Sequence, residues 1–436
     1  MAKHSALPGF RDFYPEEMVR RRQIFEAWHE VVKRFGFELY DGPPLEGLEL
    51  YIEKSGPEIV GQLFNFTDKG GRDVALRPEM TPTLVRMVGA RIKGMARPVR
   101  WASMPQLFRY EKQQRGRLRE HFQLNMDIIG EESVLADADL LAAALDVLRI
   151  LGLGPADVVG RISDRRLLQG ALLEEGLRES DLPTAYSVID KIEREPREVL
   201  LERLTGLGLA KARAERVLGL TDLTLADLRA QYGANERIAP VLDRLDEYFA
   251  ALAALGFGDW VVFDMKIVRG LAYYTGIVFE IFDRKGELRA ICGGGRYDNL
   301  FASLADVDVP ALGFGFGDVV LGELLKARKL ARERVPAVDA AVIPVDDSVR
   351  PDALRIVAKL RGEGVSVTYP YRSTGVGKAL KAAAAAGVRE AIVIGPDEIA
   401  AGVVSVRDLA AASEKKLSID DYIDGIRERR ARAAWE

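Results

Sequence analysis

Apolar residues first recur at helical spacing just after the start of the chain. Phe25, Trp28, Val32 and Phe35 follow Pro15-Glu16-Glu17, and Gly36 ends the run. A proline in the first turn and acids beside the positive end of the helix dipole fit a helix start. The pattern predicts a core helix, with an apolar face rich enough to serve a dimer as well. "FELYDGPPLE" then reads as a strand ending at Pro43-Pro44. From about Leu63 to Gly130 short strands and turns dominate. There Phe122, Leu124, Met126 and Ile128 alternate with Gln123, Asn125 and Asp127. Period two is the signature of a strand with one apolar and one polar face.

"ESVLADADLLAAALDVLRILGLG" reads as a helix of Ala and Leu closed by Gly152. Residues from about 165 to 255 are helical and charged, a helical insertion between two β-rich parts. "WVVFDMKIVRGLAYYTGIVFEIFD" and "RAICGGGRYDNL" return to strands, and "PALGFGFGDVVLGELLKARKL" is a glycine-rich turn leading into a helix. After Arg334 the order becomes strand, helix, strand, helix, strand, a separate α/β domain of about 100 residues. No fixed-period repeat is evident.

Composition narrows the class. A chain of 436 residues predicts two or three domains, and 48% hydrophobic with 29% charged residues is ordinary for a globular protein. The net charge of −4 means that a nucleic-acid partner must be met by local basic patches. A single cysteine, Cys292, excludes a disulfide framework. The three histidines, His4, His29 and His121, show no metal-ligand spacing. No stretch has the length of a membrane span, and the start has no signal-peptide pattern; a cytoplasmic protein is expected.

The candidate chemistry sits in four places. On the strand of alternating residues, Gln123, Asn125 and Asp127 share a face that suits an amino-acid substrate, whose ammonium seeks carboxylate and amide partners. Arg109 and Glu111 lie on the incoming strand, before the basic hairpin that carries Arg115, Arg117 and Arg119. Planar guanidinium groups suit phosphate and carboxylate. "LRPEMTPTLVRM" supplies Glu79 and Thr81, either helix-capping groups or part of an ammonium site. "VRGLAYYTG" sets Arg269 beside Tyr273 and Tyr274 between glycines, and "CGGGRYD" allows close approach of backbone to a ligand.

In this order the motifs resemble those of the histidyl-tRNA synthetases, a family of class II aminoacyl-tRNA synthetases. "PGFRDFYPEE", "RPEMT", "FRYE…GRLREHFQ", "RGLAYYTG" and "CGGGRYD" carry the resemblance, which covers nearly the whole chain. It implies an α+β fold: an antiparallel-sheet catalytic domain over about residues 1–325, with the helical insertion, and an α/β anticodon-binding domain over about 335–436. It implies ATP-dependent ligation of L-histidine to tRNA(His) through histidyl-adenylate, with release of AMP and pyrophosphate, Mg²⁺ accompanying ATP, and a homodimer. In the family's roles Arg109 grips the α-phosphate and the substrate carboxylate, Glu111 lies near adenine, and Arg117 reaches the phosphates or the tRNA end. Glu79, Thr81, Gln123 and Asp127 fall where the family holds the histidine ammonium and its polar neighbours. Tyr273 and Tyr274 line the imidazole pocket, and Arg269 takes the catalytic place at the α-phosphate. Two positions depart from the pattern: Ala272 stands where the family commonly has Asp, and Val319-Val320 where the third class II motif usually has Glu-Arg. The rival implied by resemblance is a histidine-sensing regulatory subunit of ATP phosphoribosyltransferase without aminoacylation activity.

Overall fold

The computed structural model describes residues 4–110, 116, 118–269, 273–333, 338–411 and 413–433, with side chains to 429. The chain divides into two compact units, Met1–Arg332 and Glu333–Glu436.

Among the described residues the first unit is built on a nine-stranded sheet. From edge to edge it runs Glu38–Leu39, Val99–Ser103, Glu120–Ile129, Ala311–Gly317, Cys292–Arg296, Ile277–Asp283, Val158–Asp164 and Val261–Phe263, and Gln106–Phe108 pairs with the start of Glu120–Ile129. Only the two outermost pairs are parallel. The α+β expectation holds, with an antiparallel sheet at its centre.

One face of this sheet is covered by helices. Leu124, Met126 and Ile128 are buried there with Trp28 and Val31 of helix Pro15–Arg34 and with Leu141 and Leu145 of helix Val134–Ile150. The Ser133 hydroxyl caps the latter helix, accepting the Leu135 N–H at 3.2 Å. Ile24, Trp28, Val31 and Val32 are all buried in the unit's own core. Of the face that the sequence had also offered to a dimer, Trp28 and Val32 are therefore spent inside the fold, and Phe25 and Phe35 are half-buried against the same core. Side chains on the other face of Glu120–Ile129 are left to line a cleft.

The insertion is helical, from Arg165–Glu174 to Ala239–Ala254, and joins strand Val158–Asp164 to its parallel neighbour at the sheet edge, Val261–Phe263. Its helices share the main core through Leu204, Leu218, Leu242 and Tyr248. A small second sheet pairs Leu45–Gly47 and Asn65–Thr67 on either side of Asp73–Leu76.

The second unit has its own cores, one around Val342, Leu360, Ile392 and Tyr422 and one around Ile343, Ala383 and Ala391. Its sheet order is Val367–Thr368, Ala340–Pro344, Glu390–Ile394, Val404–Asp408, Glu414–Leu417. The first three strands are parallel, as the alternating pattern predicts, and the last two add an antiparallel edge. The buried Tyr422 hydroxyl donates to Glu390 at 2.7 Å, tying the final helix to the central strand. Two separate cores predict an independently folding fragment. Residues 333–436 expressed alone are expected to unfold cooperatively on heating, with a stability of order 5 kcal/mol. Circular dichroism melting without a sigmoidal transition would contradict this.

Candidate active site

A cleft of about 1360 Å³ opens on the polar face of the main sheet. Its floor follows from strand register. Asp127 lies opposite Gly313 and Asn125 opposite Gly315; Gly313 lies opposite Gly295 and Gly315 opposite Gly293; Glu280 lies opposite Gly293. Directly opposed residues point to the same side of a sheet. The floor thus alternates polar side chains with bare backbone. The vacancy is occupied by neighbours. A β-carbon at Gly293 would overlap the Arg269 guanidinium, one at Gly313 the Asp127 carboxylate, and one at Gly315 would come within 2.8 Å of the Gln123 amide.

Arg269 reaches this floor from a left-handed backbone conformation, φ 57°, uncommon outside glycine. Its Nη1 donates to Glu280 at 2.9 Å and its Nη2 to the Tyr274 hydroxyl at 3.3 Å. Tyr273 and Tyr274 pack ring to ring at 4.7 Å, and Tyr297 meets Tyr273 edge to face at 5.8 Å. Arg109 is anchored by Nε donating to the Pro78 carbonyl at 3.0 Å. Its neighbour in that turn, Arg77, is buried and clamps the preceding loop, donating to Asp41 and to the Gly42 carbonyl, both at 2.7 Å. Glu79 and Thr81 line the cleft. Helix Thr81–Gly89 has no side-chain cap, so Thr81 does not play the capping part that sequence alone allowed.

Asp127 is buried and accepts the Tyr297 hydroxyl at 2.5 Å. Burial pushes its carboxyl up to about 7, against the opposing pull of the tyrosine hydrogen bond. His121 lines the same cleft; burial first, then the charges of Arg109 and Arg11, lower its pKa to about 3, so it is a neutral ring at physiological pH. Beneath the cleft Arg11 bridges Glu120 at 2.6 Å and Asp318 at 2.9 Å. Asp318 also accepts the Phe122 N–H at 2.9 Å, locking the first turn of helix Asp318–Ala327 to the floor strand.

Of the residues expected from sequence, Glu79, Thr81, Arg109, Gln123, Asp127, Arg269, Tyr273 and Tyr274 all line one cleft, and so do Val319 and Val320. Glu111, Arg117 and Ala272 lie outside the described residues. Sequence reasoning missed four participants. His121 continues the period-two row of Gln123, Asn125 and Asp127, and Tyr297 belongs to the quoted "CGGGRYD"; both were legible. Glu280 could be found only through its register with Gly293. Lys54 carried no signal: it is a lysine on a short helix, yet its ammonium is buried against Glu79 and lies 4.4 Å from the Tyr273 ring centroid.

Among the described residues no three His, Cys, Asp or Glu side chains converge as a metal cage. Glu79 and Glu280 are each paired with a cation. Among the described residues the donor set does not fit a resident divalent ion.

A largely antiparallel sheet backed by helices, with two arginines over a glycine-bared floor and a separate α/β unit, is the architecture of class II aminoacyl-tRNA synthetases. The comparisons specify which. A histidyl-tRNA synthetase family model matches residues 9–317, and an anticodon-binding domain model matches residues 339–429. A histidine–tRNA ligase of Opitutus terrae is 44% identical over 95% of this chain and 96% of its own. A chloroplastic/mitochondrial histidine–tRNA ligase of Arabidopsis thaliana is 40% identical over 95% of this chain and 85% of its own. A histidyl-tRNA synthetase structure from Nostoc sp. shares the fold with a TM-score of 0.84 over 98% of this chain and all of that one, at 23% identity. A Bacillus halodurans structure titled ATP phosphoribosyltransferase regulatory subunit/histidyl-tRNA synthetase shares it at 0.76, covering 91% of this chain and 99% of that one, also at 23% identity. The chain belongs to the histidyl-tRNA synthetase family.

Asp127 generates a prediction of two signs. A carboxyl raised from 3.8 to about 7 holds its proton in the folded state after the unfolded chain has released it. Stability is therefore lost as pH rises from about 4 to 7. Asp127→Asn removes that loss. It is expected to stabilise the first unit at pH 8 by up to about 4 kcal/mol, with little effect near pH 4, while raising the KM for histidine. Thermal melts at both pH values, with steady-state kinetics, check it. A variant less stable at pH 8 would remove the argument.

Proposed function

We propose that this cleft binds L-histidine and ATP side by side and joins them as histidyl-adenylate, with Arg109 and Arg269 as the phosphate- and carboxylate-binding groups. As a member of its family the chain is an enzyme that charges tRNA with histidine. Its ligase relatives at 35–44% identity favour that activity over the regulatory paralogue. The observation that supports the residue roles is the meeting, in one cleft, of two guanidinium groups with a carboxylate, an amide and a tyrosine cluster.

In this reading Glu79 takes the ammonium, with Thr81 and Gln123 completing the polar wall, and Asp127, backed by Tyr297, takes an imidazole nitrogen. Tyr273 and Tyr274 enclose the side chain. Arg109 holds the substrate carboxylate against the α-phosphate. A carboxylate oxygen attacks the α-phosphorus in line, and the bond to pyrophosphate breaks. No side-chain nucleophile is needed; orientation and charge stabilisation do the work. Arg269 is always protonated and fixed on Glu280, so it meets the developing charge without rearrangement. The tRNA terminal hydroxyl then attacks the histidyl carbonyl and AMP leaves. The neutral ring of His121, in the floor beside Arg109, offers a flat platform for a planar group. Among the described residues no cage awaits Mg²⁺, which would enter on the ATP phosphates. Glu111 and Arg117 keep the ATP-side roles implied by resemblance, and the second unit contacts the tRNA anticodon. The reading places the enzyme in the cytoplasm.

The decisive assay is histidine-dependent ATP–pyrophosphate exchange, with threonine and proline as controls. Arg269→Ala is expected to slow exchange about 10²–10³-fold, the usual loss for one preorganised donor, with a much smaller change in histidine affinity. An exchange rate that survives the substitution would reassign the catalytic role.

The reading includes a homodimer, supported by apolar surface other than the first helix. Leu45 (37% exposed) and Phe66 (52%) lie on the same side of the small sheet, and Leu39 (57%) is on an edge strand paired on one side only. Sedimentation at micromolar concentration is expected to give twice the 48.1 kDa chain mass, and Phe66→Asp to shift it toward the single chain. A wild-type species of one chain mass would refute the dimer.

A further inference from the structure

The described structure already holds an ammonium against two residues of the cleft lining, Glu79 and Tyr273. Lys54 is the penultimate residue of helix Leu48–Ser55, and its side chain is only 1% exposed. Its Nζ bonds the Glu79 carboxylate and lies 4.4 Å from the centre of the Tyr273 ring. A carboxylate beside an aromatic face is a strong recognition geometry for an alkylammonium. The charged groups acting on it are Glu79 and Arg109, whose positive charge opposes that of the lysine. Both Glu79 and Tyr273 also line the cleft.

Glu79 cannot serve two ammonium groups equally. With Lys54 in place the pair is neutral, and a second ammonium would meet the positive charges of Lys54 and Arg109. Removing Lys54 from an empty site is equally unfavourable, because it leaves a partly buried carboxylate unpaired. Exchange avoids both costs: the lysine returns to water as the ligand's ammonium arrives. The chain is built for a small movement there. Lys54 is in the last turn of a short helix that ends at Gly56, where φ is 82°. We propose that Lys54 is a tethered surrogate for the substrate ammonium. It occupies the Glu79–Tyr273 seat in the empty enzyme and is displaced by the amino group of histidine. This rests on the reading of Glu79 as the ammonium-binding group.

Calorimetric titration of the full-length enzyme with L-histidine and with 3-(imidazol-4-yl)propionate, which lacks the amino group, tests the exchange. The amino group should contribute modestly to affinity in the wild type, because it must expel Lys54. In Lys54→Met it meets an unpaired Glu79, and the histidine-to-analogue affinity ratio is expected to widen about tenfold. An unchanged or narrowed ratio overturns the proposal and makes Lys54 a fixed brace. A second measurement needs no variant. In the wild type Lys54 should resist amine acetylation when the site is empty and become reactive in saturating histidine, read by peptide mass spectrometry. Protection in both states also overturns it, and decides alone if Lys54→Met does not fold. A wild type that binds no histidine at all would bring down the site reading and this proposal together; normal histidine binding with unchanged protection brings down only the latter.

Discussion

The site depends on an absence of β-carbons. Three strands in register, Glu120–Ile129, Ala311–Gly317 and Cys292–Arg296, place glycine wherever a floor side chain would collide with a functional one. Gly293 makes room for Arg269, Gly313 for Asp127 and Gly315 for Gln123. Glycine within a strand is normally weakening, since it contributes no packing and loses more conformational freedom. Here two strands accept that loss together. They remain in order because they are central, paired on both sides and covered beneath by helices. The loss buys a flat polar floor on which a planar guanidinium can lie against backbone. Any substitution that restores a side chain at Gly293 displaces Arg269 before it touches substrate.

The same logic governs charge. Each cleft cation described in detail has a local counter-charge or dipole before any ligand arrives: Arg269 on Glu280, Lys54 on Glu79, Arg109 on the Pro78 carbonyl. Beneath the floor, Arg11 joins the buried Glu120 and Asp318 in one partly buried network. A buried charge without a partner is strongly destabilising, so an empty site that must later receive an anionic triphosphate has to be internally balanced. These pairings also fix orientation, which is worth more to a reaction driven by positioning than a free but mobile charge.

Much of this was legible in the sequence because it is periodic or local. Period two identified Gln123, Asn125 and Asp127 as one face, and the helical spacing of Trp28 and Val32 identified a core helix. The resemblance supplied Arg109 and Arg269. What stayed hidden depends on register and on distant contacts. Glu280 is a site residue because it opposes Gly293. Lys54 is one because a short helix happens to end beside Glu79. The antiparallel edge of the second unit was missed because Val404–Asp408 and Glu414–Leu417 carry no turn signature as strong as the alternation before them. The apolar face of the first helix was correctly seen and ambiguously used: spacing reports that a face is buried, not which surface covers it.

Asp127 shows how stability and selectivity are joined in this cleft. Burial pushes its carboxyl up to about 7, close to the value of about 6.5 for a free imidazole, so under the proposed reading the two groups would compete for one proton. Whichever holds it, the pair is complementary: carboxylate with imidazolium, or a carboxylic acid donating to the bare nitrogen of a neutral ring. A threonine or proline side chain offers neither, and leaves a buried acid to desolvate without a partner. Under the proposed reading, the destabilising burial of Asp127 in the empty enzyme would be the source of discrimination, because a ligand that relieved it would bind with that energy added. Tyr297 keeps the acid from being wholly orphaned at 2.5 Å, but it is a hydroxyl and cannot neutralise the charge. Under the proposed reading, the site is tuned so that only an imidazole completes it.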